Sequence, residues 1–433
     1  MKTMPNAPQI YLLLFSLYWA QGLPVGFMTH ALPVILRAEG VSLTHIGGFG
    51  LLMAPWALKV FWAPLVDRFG HSGFGHYRTW IIPTQILTVM TLVALSFVPI
   101  DALNQPIYLL AFFITLLMMN SIGATQDIAT DGLAVNILKG EQQQIGNMFQ
   151  VIGSRLGFIV GGGAILWILD WLNWQATFLI LAFLVALNTL PILFYQEPKH
   201  QQTHRTTINQ TDTNSSSIRF LGSIKNYLQY FFHQKELWLW FIVLCTIKIT
   251  DGLSGPILKP LLVDLGLTKT QIGVNVTMLG AFAALIGAGL AGFLLRYLSR
   301  QQFLIIFSIL KLLSLAGFYW LSRYLEQLNE LQYWWVYFIN ALEDMFAAML
   351  LVIILTMVMH YSRKDYAGTD FTFQVALMAF IAGSLYTLSG IVGDWLGYEH
   401  YLLIISLIGI VMLIPICLWA KESTITEQNK IDL

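Results

Sequence analysis

An all-α membrane protein, with twelve spans in two similar halves, is the architecture this sequence predicts. Three observations predict it. Twelve apolar stretches are each long enough to cross a bilayer, Lys and Arg are distributed unevenly among the loops, and a short pattern recurs on both sides of one long polar segment.

The apolar content comes first. The chain is 57% hydrophobic and 11% charged, with a mean hydropathy of +0.67; soluble domains carry roughly 25% charged residues. A water-soluble globule leaves much of its surface exposed and could not hide this many apolar side chains. A bilayer takes them in as solvent. The net charge of zero offers no basic face for nucleic acid. The two cysteines, Cys245 and Cys417, both lie in apolar runs, so neither a disulfide framework nor a metal cluster is expected.

A span needs roughly 20 apolar residues. In the first half these are Ile10–Leu36, Ile46–Leu65, Trp80–Ile100, Ile107–Leu133, Gly146–Leu169 and Ala176–Phe194. In the second they are Leu237–Val263, Ile272–Leu295, Phe303–Leu321, Trp334–Met359, Phe371–Val392 and Tyr401–Leu418. Met1–Gln9 is short and polar, and no small-residue cleavage site follows, so the run from Ile10 reads as a span rather than a removed signal.

Orientation follows from the basic residues. With the N-terminus inside, 15 of the 23 Lys and Arg fall in inner segments, and only Arg37, Lys269 and Arg323 fall outside. The other five, Lys59, Arg155, Lys248, Lys259 and Lys311, sit within spans. Both termini are therefore expected in the cytoplasm, with the chain in a bacterial inner membrane.

The one long polar stretch, His200–Ser217, cannot bury a core and reads as a flexible linker. Leu221, Ile224, Leu228 and Phe231 then recur at helical spacing beside Arg219 and Lys225, which suits either an interfacial helix or a plain extension of the linker. The expected organisation is a six-helix bundle over 1–195, a linker over 196–235, and a second bundle with a short tail over 236–433. Gly40-Val-Ser-Leu-Thr-His-Ile-Gly47 after the first span matches Gly266-Leu-Thr-Lys-Thr-Gln-Ile-Gly273 after the seventh, at an offset of 226. Such duplication marks many secondary transporters; a duplicated receptor or scaffold is the plainer alternative.

The loop after the second span reads Ala63-Pro-Leu-Val-Asp67-Arg68-Phe-Gly70, with Arg78 further on. It resembles the cytoplasmic signature of the major facilitator superfamily, departing from it in Ala63 and in an insertion before the distal arginine. That resemblance implies a twelve-helix major facilitator fold and a cytoplasmic gate made by Asp67, Arg68 and Arg78, an ionic latch formed in one conformation and broken in the other. Ordinary positive-inside anchoring would explain the arginines alone, but not Asp67. Lys59 to Arg68 and Gln126-Asp127-Ile-Ala-Thr130-Asp131 look like AmpG-type permeases, a group that includes acetyl-CoA transporters and siderophore permeases. Gln21-Gly22-Leu23-Pro24 with Phe27, and Gly368-Thr369-Asp370-Phe371-Thr372, look closer to RhtX/FptX-type siderophore permeases.

A charge near the bilayer centre costs about 2.5–3.5 kcal/mol or more unless paired or hydrated. The acids Asp127, Asp131, Asp251, Glu343, Asp344 and Asp370, with the five intraspan cations, are therefore expected to face a cavity or one another. Asp127 and Arg155 are equally far from Glu141, the centre of the turn between the fourth and fifth spans, and so share a depth; Asp131 lies one turn on from Asp127. This pair could be a fixed structural bridge or part of substrate or proton coupling. Gly153, Gly157 and Gly161 form a small-residue ridge for close helix packing. Lys248 and Asp251 share a face of the seventh span, with Lys259 returning near it. Gly252, Gly255, Pro256 and Pro260 are expected to interrupt that helix, as Gly22, Pro24, Gly26 and Pro33 interrupt the first, at the binding region. Glu343 and Asp344 are about 100° apart on a helix, so only one can face the cavity centre.

Gln21, His30, Trp56 and Gln126 complete the candidate set for substrate or proton coupling, His30 because it can titrate near neutral pH. For any one aromatic residue, packing or lipid contact is the plainer reading.

An intramembrane protease is the competing class, since Gly252-Leu-Ser254-Gly255 superficially matches a rhomboid motif. His360 and His400 fall at span ends, where they could not serve as base, and no metal-hydrolase or phosphate-cradling motif occurs. The sequence thus points to a non-enzymatic permease with no cofactor, driven by the proton gradient. The expected substrate is a small anionic solute, a ferric siderophore first and a muropeptide second, carried by a monomer in membrane lipid.

Overall fold

The computed structural model describes residues 7–38, 49–70, 73–98, 103, 105–169, 171–197, 230–232, 234–268, 271–323 and 333–431. The interior of the expected linker, the Gly40–Gly47 pattern and the side chain of Lys259 lie outside them.

Eleven described helices are long and apolar enough to cross a membrane, and a twelfth, short and broken, lies among them. They are α1 (Ala7–Leu36), α2 (the broken stretch 49–68), α3 (Arg78–Leu95), α4 (Pro106–Ile137), α5 (Glu141–Leu169) and α6 (Trp174–Phe194) in the first half. The second half has α7 (Lys235–Asp264), α8 (Ile272–Met278 running into Leu279–Leu294), α9 (Arg300–Ser322), α10 (Tyr333–His360), α11 (Lys364–Tyr386) and α12 (Trp395–Gln428). Helix is continuous from α11 into α12 except at Gly397, whose φ of 71° is a left-handed conformation that costs only glycine nothing.

The small-residue ridge of α5 does what its spacing predicts. A Cβ on Gly157 would lie 2.5 Å from the Cα of Gly22, and one on Gly153 would lie 2.8 Å from the carbonyl of Phe15, so α1 and α5 touch backbone to backbone.

The helix breaks differ from expectation. The α1 helix passes through Pro24 and widens into π geometry over Phe27–Ala31. In α7 the break falls at Ile247-Lys248, and the helix then runs unbroken from Ile249 to Asp264 through Pro256 and Pro260. A missing proline N–H is tolerated in a membrane helix when its neighbours absorb the freed carbonyl. A third break, not foreseen, lies in α2, where a 3₁₀ segment over Lys59–Phe61 separates two short α-helical pieces.

The core is tripartite. One apolar cluster joins both halves at the end where α1 and α7 begin and α6 and α12 finish, from Ile10, Leu13 and Val66 to Trp240, Met359 and Trp419. At the opposite end each half has its own cluster, one around Phe27, Phe112 and Phe178, the other around Leu261, Phe318 and Val336. The halves are therefore fastened at the linker end and have separate cores at the distal end. Phe231, the last residue of the helically spaced linker set, is buried in the shared cluster.

Candidate functional site

Two groups of buried charge and one contact between the halves make up the site. The first group lies in the first half. Lys59, only 4% exposed, sits in the 3₁₀ segment of α2 and pairs with Asp127 of α4. Its ammonium also lies 5.5 Å from the Trp56 ring, within cation–π range. The Gln21 amide of α1 reaches Asp127 Oδ1 at 3.1 Å in the orientation that satisfies both its ends. One turn along α4, Asp131 accepts from the Tyr18 hydroxyl at 2.7 Å and from Gln150 at 3.4 Å. Trp56 donates to Asn120 at 3.0 Å. Gln21, Met28, Trp56, Asn120 and Gln126 line a cavity of about 260 Å³, and the amide nitrogen of Gln126 is buried there without a partner.

This corrects the expected Asp127–Arg155 pair. Equal depth holds in an antiparallel hairpin, but the partner is chosen by helix rotation, and Lys59 on α2 faces Asp127. Among the described residues, none forms a hydrogen bond or ion pair with the side chain of Arg155, which is half-buried on α5. His30 is exposed beside the Phe158 ring and lies outside the network.

The second group belongs to the second half. Lys248, at the break in α7, contacts Asp251 Oδ2 at 2.7 Å. Asp251 also pairs with Lys311 of α9, whose ammonium lies 3.8 Å from Glu343 of α10. Of the adjacent acids, Glu343 lines a cavity with Asp251 and Lys311, whereas Asp344 turns towards α8, against Gly280 and bonded to Asn340 at 2.9 Å. Lys311 was recognisable in the sequence as an intraspan charge, but it had no assigned role. Tyr18 gave a weaker signal, lying three residues before Gln21 on one helical face.

A hydrogen-bonded contact between the halves is made by Asp67. Its Oδ1 accepts from the Gly368 amide at 3.0 Å and from the Tyr77 hydroxyl at 2.8 Å, while Oδ2 accepts from the Thr369 amide at 2.7 Å and from the Thr369 hydroxyl. Gly368 and Thr369 form the first turn of the α-helical part of α11, where unpaired N–H groups and the helix dipole favour an anion. Asp67 thus binds the N-terminus of a helix in the other half rather than Arg78. Arg78 instead binds carbonyls at the end of α6, Ile192 at 3.2 Å and Leu193 at 3.1 Å. Arg68 is exposed against the Phe69 ring.

Asp370, expected in the coupling set, is 1% exposed and tied to Arg363 by bonds of 2.8 and 2.9 Å. It fixes the turn from α10 into α11, close to the Asp67 contact and apart from both charge groups. Arg363 stacks on Tyr230 and Tyr366, 4.5 and 4.9 Å from their centroids.

Comparison with known proteins agrees with this construction. Residues 9–170 match the family model described as Acetyl-coenzyme A transporter 1, and residues 247–432 match that of the Major Facilitator Superfamily. The anhydromuropeptide permease of Escherichia coli K12 is 28% identical over 393 residues, covering 90% of this chain and 74% of that protein. A transporter named AmpG 4 from Rickettsia conorii is 24% identical, covering 90% and 91%. Among solved structures, the transporter FucP in its outward conformation superposes with a TM-score of 0.63 at 15% identity, covering 95% of this chain and 97% of that one. The human organic anion transporter MFSD10 gives 0.64 at 14% identity, covering 95% and 100%. Two halves fastened at one end, buried charges inside each, and likeness to these solved structures over nearly the whole chain give it the twelve-helix major facilitator fold, and its sequence is similar to the AmpG-type permeases.

Proposed function

We propose that this protein is an inner-membrane permease that imports an anhydromuropeptide-type solute by proton-coupled alternating access. The observation that carries the reading is the Lys59–Asp127 pair, a titratable ion pair in a broken helix beside a cavity lined by amides and Trp56. A carboxylate whose one paired cation among the described residues sits in a 3₁₀ break can exchange that partner for a proton when the helix shifts. Carboxylates of this kind serve as coupling sites in transporters. With both termini cytoplasmic, the shared core and the Asp67 contact close the inner side, and the described conformation is outward-facing. The muropeptide class rests on the permeases that match over nine-tenths of the chain.

A ferric siderophore is the second reading, favoured by the Gln21–Pro24 pattern. The other segment carrying that likeness, Gly368–Thr372, is engaged by Asp67 and Arg363 and serves closure, so it says nothing about substrate.

The test is uptake of labelled anhydromuropeptide, beside a ferric siderophore panel, in cells with and without this gene and with and without a protonophore. Gene-dependent, protonophore-sensitive accumulation of the first supports the reading. Accumulation of the second alone replaces it.

A further inference from the structure

The charge group of the second half divides unevenly. Asp251 is held by two lysines, Lys248 and Lys311, while Glu343 has only the far contact of 3.8 Å with the lysine that Asp251 already binds. Among the described residues no other donor lies within bonding distance of Glu343. The cavity beside it holds about 550 Å³ of empty space, bounded by α7, α9, α10 and α12 and lined by the hydroxyl-bearing residues Thr246, Thr250, Ser254 and Ser308. The Ser308 hydroxyl is buried without a partner.

The charged groups around Glu343 are accounted for helix by helix. The α7 helix supplies Lys248 and Asp251, α9 supplies Lys311, and α10 supplies Asp344, which is turned towards Asn340. The α12 wall, Gly409, Met412, Leu413 and Ile416, has no charge. Two lysines facing two carboxylates are neutral together, but their geometry neutralises Asp251 first. A buried carboxylate without a close cation is the one that takes up a proton.

We propose that Glu343 is a proton-binding acid of the second half, loaded and unloaded through this cavity while Asp251 stays ionised between its lysines. On protonation, the proton bonds to a carboxyl oxygen of Glu343, the long contact with Lys311 is lost, and Lys311 remains on Asp251. The cluster thereby gains one positive charge relative to its unprotonated state, which draws an anionic substrate group towards the second half. This rests on the proton-coupled reading above and adds a carrier distinct from Asp127.

The test needs no substrate. Infrared difference spectra of the purified full chain, acidic minus neutral buffer, are expected to show a protonated-carboxyl band that E343Q lacks, E343D shifts and D127N retains. A band unchanged in both E343Q and E343D overturns the proposal; E343D alone decides if E343Q does not fold. With labelled anhydromuropeptide in vesicles, E343Q is expected to lose gradient-driven accumulation and keep counterflow, and accumulation equal to wild type also overturns it. If wild type accumulates nothing but the Glu343 band is present, the substrate assignment has failed and the acid stands.

Discussion

Asp67 and Thr369 lie 302 positions apart, yet a backbone amide at 2.7 Å and a hydroxyl join them across the two halves. A carboxylate on the last turn of α2 thus acts as the cap of α11, and opening the linker end requires that cap to come off.

Replacing Asp67 by alanine removes acceptors for four donors. Hydrogen bonds to a charged group contribute about 1.5–3 kcal/mol each in other proteins, so even one lost bond shifts the balance between closed and open forms by about tenfold. Spin labels at Glu141 and Tyr297 are expected to show a longer distance population in D67A than in wild type. An unchanged distribution would remove Asp67 from the gate.

Lys59 and Asp127 predict a characteristic pattern of single and double variants. Removing one partner of a buried pair costs about 3–5 kcal/mol, because the other charge is stranded. K59M and D127N are each expected to lower thermal stability in detergent and to abolish uptake. The double variant regains much of the stability but none of the accumulation. Recovery of accumulation would make the pair structural only.

Two further ion pairs should respond unequally. Arg363→Ala strands Asp370, which is 1% exposed, and is expected to cost about 3–5 kcal/mol and to loosen the turn into α11. Arg323→Ala breaks an exposed pair with Glu399 and is expected to cost less than about 1 kcal/mol. Melting curves of the two variants read the difference directly.

The α1–α5 contact is the least tolerant packing in the first half. Gly157→Leu puts a side chain where Gly22 leaves no room and is expected to prevent folding; Gly163→Ala, with nothing within 4 Å, is expected to be silent. Expression and size-exclusion profiles distinguish them.

The spans and the glycine ridge were legible because hydropathy and small-residue spacing are local properties of the chain. Asp127 was legible as a buried acid for the same reason. Its partner was not, since depth can be counted from a turn but helix rotation is set by which neighbours pack; Pro55 and Pro64 flank the break of α2 at Lys59 and were a local signal of it that the hydropathy reading passed over. Glu343 and Asp344 show the same limit: adjacency says that they diverge, and only the placement of α8 and α9 says which one meets Lys311. The AmpG-like pattern pointed to the permeases that the chain is similar to; the substrate ranking that put siderophores first leaned partly on Gly368–Thr372, a segment in contact with Asp67 and Arg363.

The shared core at the linker end has a thermal consequence. Leaving the described conformation means parting apolar surfaces such as Leu13, Met359 and Trp419, and the water-driven attraction between them weakens on cooling. Chilling is therefore expected to weaken the grip at that end relative to the ion pairs within each half.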